Sequence, residues 1–410
     1  MFVANGWKSL FGSVSVAWGW KVVFEAGRGR MIHLDAVRVV LMSCGVVTHA
    51  TMIGSNAVFD AITFVSGLFR MKAFFLISGF FGALVLSRRS AGQFLSARLP
   101  ALLWPLAAGT VVVVPFTLWL MAIWHHGPIG VVAWLTDPGW LESLPDPVGP
   151  LLHLWFLVVL IGFTLLLPPL MAVLRTPVVA VPIEALRPFT QRLGLWGHVA
   201  VIALLMMLSR SAYLALFGPD LESDAFGWLV SMLFHYAPWF GFGALAFRYR
   251  WLFDAFETVS GRHLLGGLLL CAGIFTLALQ FGDGWPGLLR RALFWPSRSG
   301  MVVFGFAGLV QLCRHWLDRE TPLLRMFVDS ALTFYLIHIA LIFLLALLIG
   351  RDAADSIGIF GLFVLLVLVV PPLGVAVHAL VVGRVPVLDL LFRGKRTAPR
   401  GSHGARAGFG

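Results

Sequence analysis

The chain has 410 residues, 59% hydrophobic and only 12% charged, with 30 Lys and Arg against 19 Asp and Glu for a formal net charge of +11. Soluble domains are about half apolar and a quarter charged, so a soluble globular protein is excluded. Continuous apolar runs such as FGLFVLLVLVVPPLGVAVHALVV also exclude a membrane β-barrel, whose strands alternate apolar and polar residues.

Residues 1–30 carry Lys8, Lys21, Arg28 and Arg30 with Trp7, Trp18 and Trp20 between them. They lack the unbroken apolar core of a signal peptide and read as an N-terminal interfacial or cytoplasmic segment. At about 20 residues per span, the apolar runs predict helices at 33–54, 62–86, 99–122, 151–174, 195–217, 226–247, 263–281, 299–315, 328–350 and 357–382. The expected fold is therefore all-α, a polytopic transmembrane helix bundle of about ten spans filling residues 31–393. Residues 394–410 form a basic, Gly-rich tail expected to be disordered.

In the loops and at the span ends, twenty-two basic residues fall on the side of the termini and four on the other. This places both termini in the cytoplasm. The loop at 282–298 runs against that rule, because Arg290, Arg291 and Arg298 sit on the external side. The longest external loop, about 123–150, carries His125, His126, Asp137, Glu142 and Asp146. Basic residues scattered over short loops are topology signals and not a nucleic-acid surface, so no nucleic-acid partner is expected. Cys44, Cys271 and Cys313 lie in apolar runs without metal-like spacing, which points to neither disulfides nor a bound metal.

Charged groups inside spans are costly, which makes them the informative residues. From Arg38 to His49 the first helix makes eleven steps, about 1100°, leaving the two about 20° apart in azimuth and about 16 Å apart along the axis. Asp35 precedes Arg38 by three residues, close enough for an ion pair on the same face. Asp35 and Arg38 also read as an interfacial pair, and His49 as an interhelical hydrogen-bonding group. In FRMKAFFLISGFFG, Arg70 and Lys72 are about 200° apart on a helix, so one of them is expected to reach for the outer surface. His153 and Trp155 open the fourth span, His235 lies in the sixth and His338 in the ninth. His49, Arg70, His153 and His235 all fall in the outer half of the membrane, a depth that independent polar sites have no reason to share. Beside Trp155, His153 also fits an aromatic belt. Ser78, in FFLISGFF, reads as a close helix crossing, and the phosphate loops, HExxH and nucleophile elbows of soluble enzymes are missing.

Six segments in order across residues 31–396 resemble the integral-membrane acyltransferase-3 family, and within it the glucan biosynthesis protein C branch, which succinylates osmoregulated periplasmic glucans. They are LDAVR followed by His49, FRMKAFFLISGFF, HLWFLVVL, PWFGFGALAF, SALTFYLIHIAL and RVPVLDLLFRGK. The resemblance implies a multi-pass acyltransferase of the bacterial inner membrane that moves succinyl from succinyl-CoA onto glucan hydroxyls. Its partners would be acyl-CoA as co-substrate, the periplasmic glucan and the lipid bilayer, with no permanently bound cofactor. Arg38 and His49 match the family's pattern of an arginine, ten residues and a histidine, which implies a catalytic His49, as base or acyl carrier, with Arg38 and Asp35 beside it. Where relatives carry an R-x-x-R pair, this chain has Leu95 and Arg98, so Arg88, Arg89 and Arg98 are the candidates for the donor's phosphates. Arg70, Lys72, His153, Trp155, His235 and His338 are the candidates for binding the acceptor or the acyl group. The alternatives are O-acetyl transfer to another envelope glycan and a secondary transporter, the latter disfavoured by the lack of an inverted repeat.

Overall fold

The structure is a computed structural model that describes residues 31–136, 149–218 and 220–394. The expectations for residues 1–30, for Asp137, Glu142 and Asp146, and for the tail beyond Gly394 lie outside the described residues. Those described are overwhelmingly helical and contain no strand. Among the described residues, ten helical spans are long and apolar enough to cross a membrane: α1 Ile32–Ile53, α2 Ala57–Leu86, α3 Ala91–His126, α4 Leu151–Val173, α5 Leu195–Phe217, α6 Ala225–Arg248, α7 Gly261–Gly284, α8 Gly287–Trp316, α9 Pro322–Ile349 and α10 Arg351–Val382.

Each predicted span is present, and the differences lie at the ends, where capping chemistry and not hydropathy decides. The α2 helix begins at Ala57 because Asn56 caps it, its side chain accepting from the Phe59 amide at 3.0 Å. The α8 helix begins at Gly287, directly after Pro286, and not near 299. Arg290, Arg291 and Arg298 are thus helical, and Arg290 pairs with Asp283 at 2.8 Å. The predicted loop at 282–298 shrinks to a short turn.

The α2 helix is the centre of the bundle, with 72% of its most apolar stretch buried, the largest share of the ten. It packs along α6 and also against α1, α4 and α8. The α2–α6 crossing is backbone on backbone. A Cβ on Gly79 would overlap the Phe240 carbonyl, and one on Gly243 would overlap the Leu76 carbonyl. Ser78 is buried beside this crossing, as the small-residue reading of FFLISGFF expects.

Centrality corrects one expectation. Lys72 does not reach the surface: α2 has neighbours on both sides, so Lys72 is 1% exposed, while Arg70 is half-buried and faces α1 across Gly45. Lys72 folds back along its own helix and donates from Nζ to the Gly67 carbonyl at 3.0 Å.

The N-terminal end of α1 is pinned to the short helix Arg250–Thr258. His33 Nε2 lies 3.2 Å from Glu257 Oε1, and Arg250 and Arg314 reach Oε2 at 3.3 and 3.5 Å. The His33 amide donates to Asp318 at 3.2 Å. The hydrogen bond with His33 holds the Glu257 carboxyl below its ordinary value, against the desolvation that burial imposes, and the two arginines add to the effect. A depressed carboxyl stabilises the fold above its unfolded value of 4.5 and loses that contribution as pH falls through the folded value. Glu257→Gln should therefore lower the unfolding midpoint by about 2 °C near neutrality. Thermal unfolding in detergent at several pH values should show that deficit shrinking below pH 4.5.

Candidate active site

Three histidines from three separate elements converge. His49 lies near the end of α1, His338 is in α9, and His153 belongs to the 3-10 turn Gly149–Leu154 that opens α4. The His338 ring centre is 5.1 Å from that of His49 and 5.1 Å from that of His153, and His49 and His153 are 6.2 Å apart. The turn that presents His153 is strained. Leu152 has φ +45° and ψ −122°, the only positive φ at a non-glycine residue among those described. The Tyr335 hydroxyl holds this turn by donating to the His153 carbonyl at 2.5 Å.

Tyr335 also fixes the chemistry of His338. Its carbonyl lies 2.7 Å from His338 Nδ1. A carbonyl only accepts, so Nδ1 carries the hydrogen, and neutral His338 presents Nε2 as a lone pair. That Nε2 is buried and has no partner among the described residues.

These groups line a cavity of about 70 Å³, enough for several water-sized groups. His49, Arg70, His153, Tyr335 and His338 give it polar lining, and Leu41, Gly45, Trp155 and Phe156 are among the residues that complete it. Arg70 Nε is buried without a partner among the described residues. Gly45 makes the room: a Cβ there would come within 2.8 Å of Arg70 Nη1 and 4.0 Å of His338 Nε2. Gly45→Ala should therefore fold normally and displace only the guanidinium. Displacements of about 1 Å at a reacting centre cost up to about 100-fold in rate, and a loss of about 10–100-fold in acyl transfer at unchanged thermal stability is expected.

Leu41, Gly45 and His49 carry the cavity wall down α1, and Arg38 lies one turn below Leu41 on the same face. Arg38 pairs with Asp35 at 3.5 Å and lies 5.4 Å over the Phe81 ring, and Arg98 is close enough for its charge to meet that of Arg38. Arg88 and Arg89 follow in the exposed turn after α2. The structure thus separates the predicted site residues into two groups. His49, Arg70, His153, Trp155 and His338 share the cavity, while Asp35, Arg38 and Arg98 form a cluster about 16 Å away along α1. Lys72 and His235 are on neither. His235 lies 4.8 Å from the Tyr236 ring, and Tyr236 stacks on Trp155 at 5.7 Å. Gly45 and Tyr335 are site residues that the sequence reading missed. Tyr335, three residues before His338 in FYLIHIAL, carried a signal in that spacing.

A cavity that joins imidazoles to an unpaired guanidinium suits proton abstraction from a hydroxyl with stabilisation of a developing oxyanion. No cluster of three metal-ligating side chains with metal-binding geometry occurs among the described residues. Residues 31–376 match the acyltransferase-3 family, described as an acyltransferase domain, and the chain belongs to that family. It is a multi-pass membrane acyltransferase.

Among its relatives, the chain is similar to "Glucans biosynthesis protein C" of Escherichia coli strain K12, with 25% identity over 397 residues, 90% of this chain and 96% of that protein. The proteins of the same name from Escherichia coli O157:H7 and O81 (strain ED1a) are similar to the same extent. No solved structure matches the chain.

Proposed function

We propose that the protein transfers a succinyl group from succinyl-CoA to hydroxyls of a periplasmic glucan, working in the bacterial inner membrane with both termini in the cytoplasm. The observation that carries this reading is the histidine cavity with unpaired Arg70, set about 16 Å along α1 from the Asp35–Arg38 pair. A donor from one face and an acceptor from the other can meet at such a depth. The relatives named for glucan biosynthesis support the choice of acceptor.

His49 takes the proton from the acceptor hydroxyl as its oxygen attacks the thioester carbonyl. Arg70 faces the negative charge that develops on the carbonyl oxygen. The tetrahedral intermediate collapses with cleavage of the C–S bond, and the proton passes from the imidazolium to the departing thiolate, which leaves both products neutral at the reacting atoms. His338, with its tautomer set by Tyr335, accepts a hydrogen bond within the same cavity and helps orient the reacting groups. Arg88, Arg89 and Arg98 meet the donor's phosphates, Arg38 guides its arm, and His153 and Trp155 contact the acceptor.

The test is the charge and mass of periplasmic glucans from cells lacking this gene and carrying it on a plasmid. Restoration of glucan half-esters of succinic acid supports the reading. Glucans that remain unsubstituted overturn the choice of acceptor, and restored neutral acyl groups overturn the choice of succinyl.

A further inference from the structure

A second cavity, of about 480 Å³, lies where the connection before α5 meets the connection before α7. Its size falls in the range of about 300–1,000 Å³ usual for small-molecule sites. The helix Arg187–Leu193 lines it with Arg187, Gln191 and Arg192. The helix Arg250–Thr258 adds Trp251, Asp254, Ala255 and Thr258, and the start of α7 adds Ser260 and His263. Trp196 of α5 and Phe304 of α8, whose rings meet edge to face at 4.8 Å, also line it.

These walls are fixed to one another. In the helix Arg250–Thr258 the cavity residues recur at intervals of three and four, which is one helix face, while Leu252, Phe253 and Phe256 are buried in the bundle. His198 of α5, 2% exposed, lies with one ring nitrogen 3.2 Å from the Gly194 carbonyl and the other 2.8 Å from the Leu252 carbonyl. It bridges the start of α5 to the second wall. The first wall is pressed onto α5 at Gly197, where a Cβ would come within 3.0 Å of the Thr190 backbone.

The cavity carries excess positive charge. Among the described residues no carboxylate pairs with Arg187 or Arg192, and Asp254, the one carboxylate in the lining, is held by Arg250 at 2.9 Å. Guanidinium groups match the oxygens of a phosphate in geometry as well as charge. The cavity also lies at headgroup depth, since α5 and α7 begin at its edge, at Leu195 and Gly261. These two spans are the least buried of the ten, with 28% and 22% of their most apolar stretches covered by protein. Leu193 and Trp196 in the lining are 41% and 40% exposed, and one to two turns into α7 Leu265 and Leu269 are 59% and 62% exposed. Cationic groups above bare apolar helix faces, with a tryptophan at the boundary, match the two ends of an anionic lipid.

We infer that this cavity binds the phosphate of an anionic phospholipid headgroup, with Arg187 and Arg192 on its oxygens and an acyl chain along the exposed face of α7. Lipid binding there is independent of which acyl group the enzyme transfers.

The test uses the full-length protein in mixed micelles holding equal amounts of phosphatidylglycerol and phosphatidylcholine with the same acyl chains, and native mass spectrometry counts the lipids retained. The wild type should retain phosphatidylglycerol in preference. Arg187→Gln and Arg192→Gln should each lower that preference about fivefold, and together about 25-fold, the weight of one basic residue apiece at a membrane surface. Both arginines are exposed, so the variants should fold. Ala255→Glu, which sets a carboxylate in the lining, should abolish the preference. Arg175→Gln combined with Arg319→Gln, which removes two exposed charges outside the cavity, should leave it as in the wild type.

Equal retention of the two lipids by the wild type would overturn the inference. So would an equal loss in the Arg175 and Arg319 double variant, because the attraction would then belong to the whole basic surface. Coenzyme A and inorganic phosphate test a soluble source of the same chemistry. If millimolar amounts of either displace phosphatidylglycerol from the wild type, the cavity takes a soluble phosphate and the lipid assignment falls; if the bound lipid is unchanged, it stands.

Discussion

His49→Ala lowers acyl transfer by about 100- to 10,000-fold, the range contributed by a positioned general acid–base group, and leaves the protein folded in the membrane. The imidazole makes no hydrogen bond to any described residue, and its neighbours in the cavity are other rings and the Arg70 guanidinium. Removing it breaks no structural contact beyond packing. Initial rates with the purified variant, set beside its unfolding midpoint, check both halves of this statement. His338→Gln is the informative companion, because an amide can still bond to the Tyr335 carbonyl but cannot take a proton. If His338 orients groups and His49 is the base, His338→Gln keeps a measurable rate where His49→Ala does not.

Gly79→Val has the largest expected effect on stability. At the α2–α6 crossing the added Cβ alone would overlap the Phe240 carbonyl, a backbone atom that no rotamer change can move. Overpacking a tight core costs about 1–3 kcal/mol and more where backbone must shift, and here the two most extensively packed helices of the bundle would have to separate. The variant should fail to accumulate in membranes. Gly241→Ala, on the same α6 but with open space around its Cβ position, should accumulate normally. Immunoblots of membrane fractions from matched expression distinguish the two, and normal accumulation of Gly79→Val would contradict the backbone-on-backbone crossing.

The ten spans were legible because a bilayer forces helices into apolar runs of about 20 residues. Their ends were less so: α2 and α8 start on Asn56 and Pro286, whose capping and turn chemistry extend helices past the apolar window. The relation of Arg38 to His49 could be read directly, since both lie on one helix of fixed period. The meeting of His49, His153 and His338 could be read only as a shared depth, because their convergence depends on how α1, α4 and α9 pack. The burial of Lys72 escaped the sequence reading, since the helical period shows that it faces away from Arg70 but not that α2 has neighbours on both sides. Leu152 gave no signal at all: a leucine at positive φ is imposed by its surroundings, here by the Tyr335 hydroxyl that holds the next carbonyl.

The most direct test of acyl transfer through the His49 cavity is transfer across a sealed membrane. The purified protein is reconstituted into vesicles with glucan enclosed, and succinyl-CoA labelled in the acyl group is added outside, with orientation scored by protease access. Label should enter the enclosed glucan with the wild type and not with His49→Ala. Label transferred equally well by His49→Ala would contradict the account, as would intact succinyl-CoA accumulating inside the vesicles while the glucan stays unlabelled.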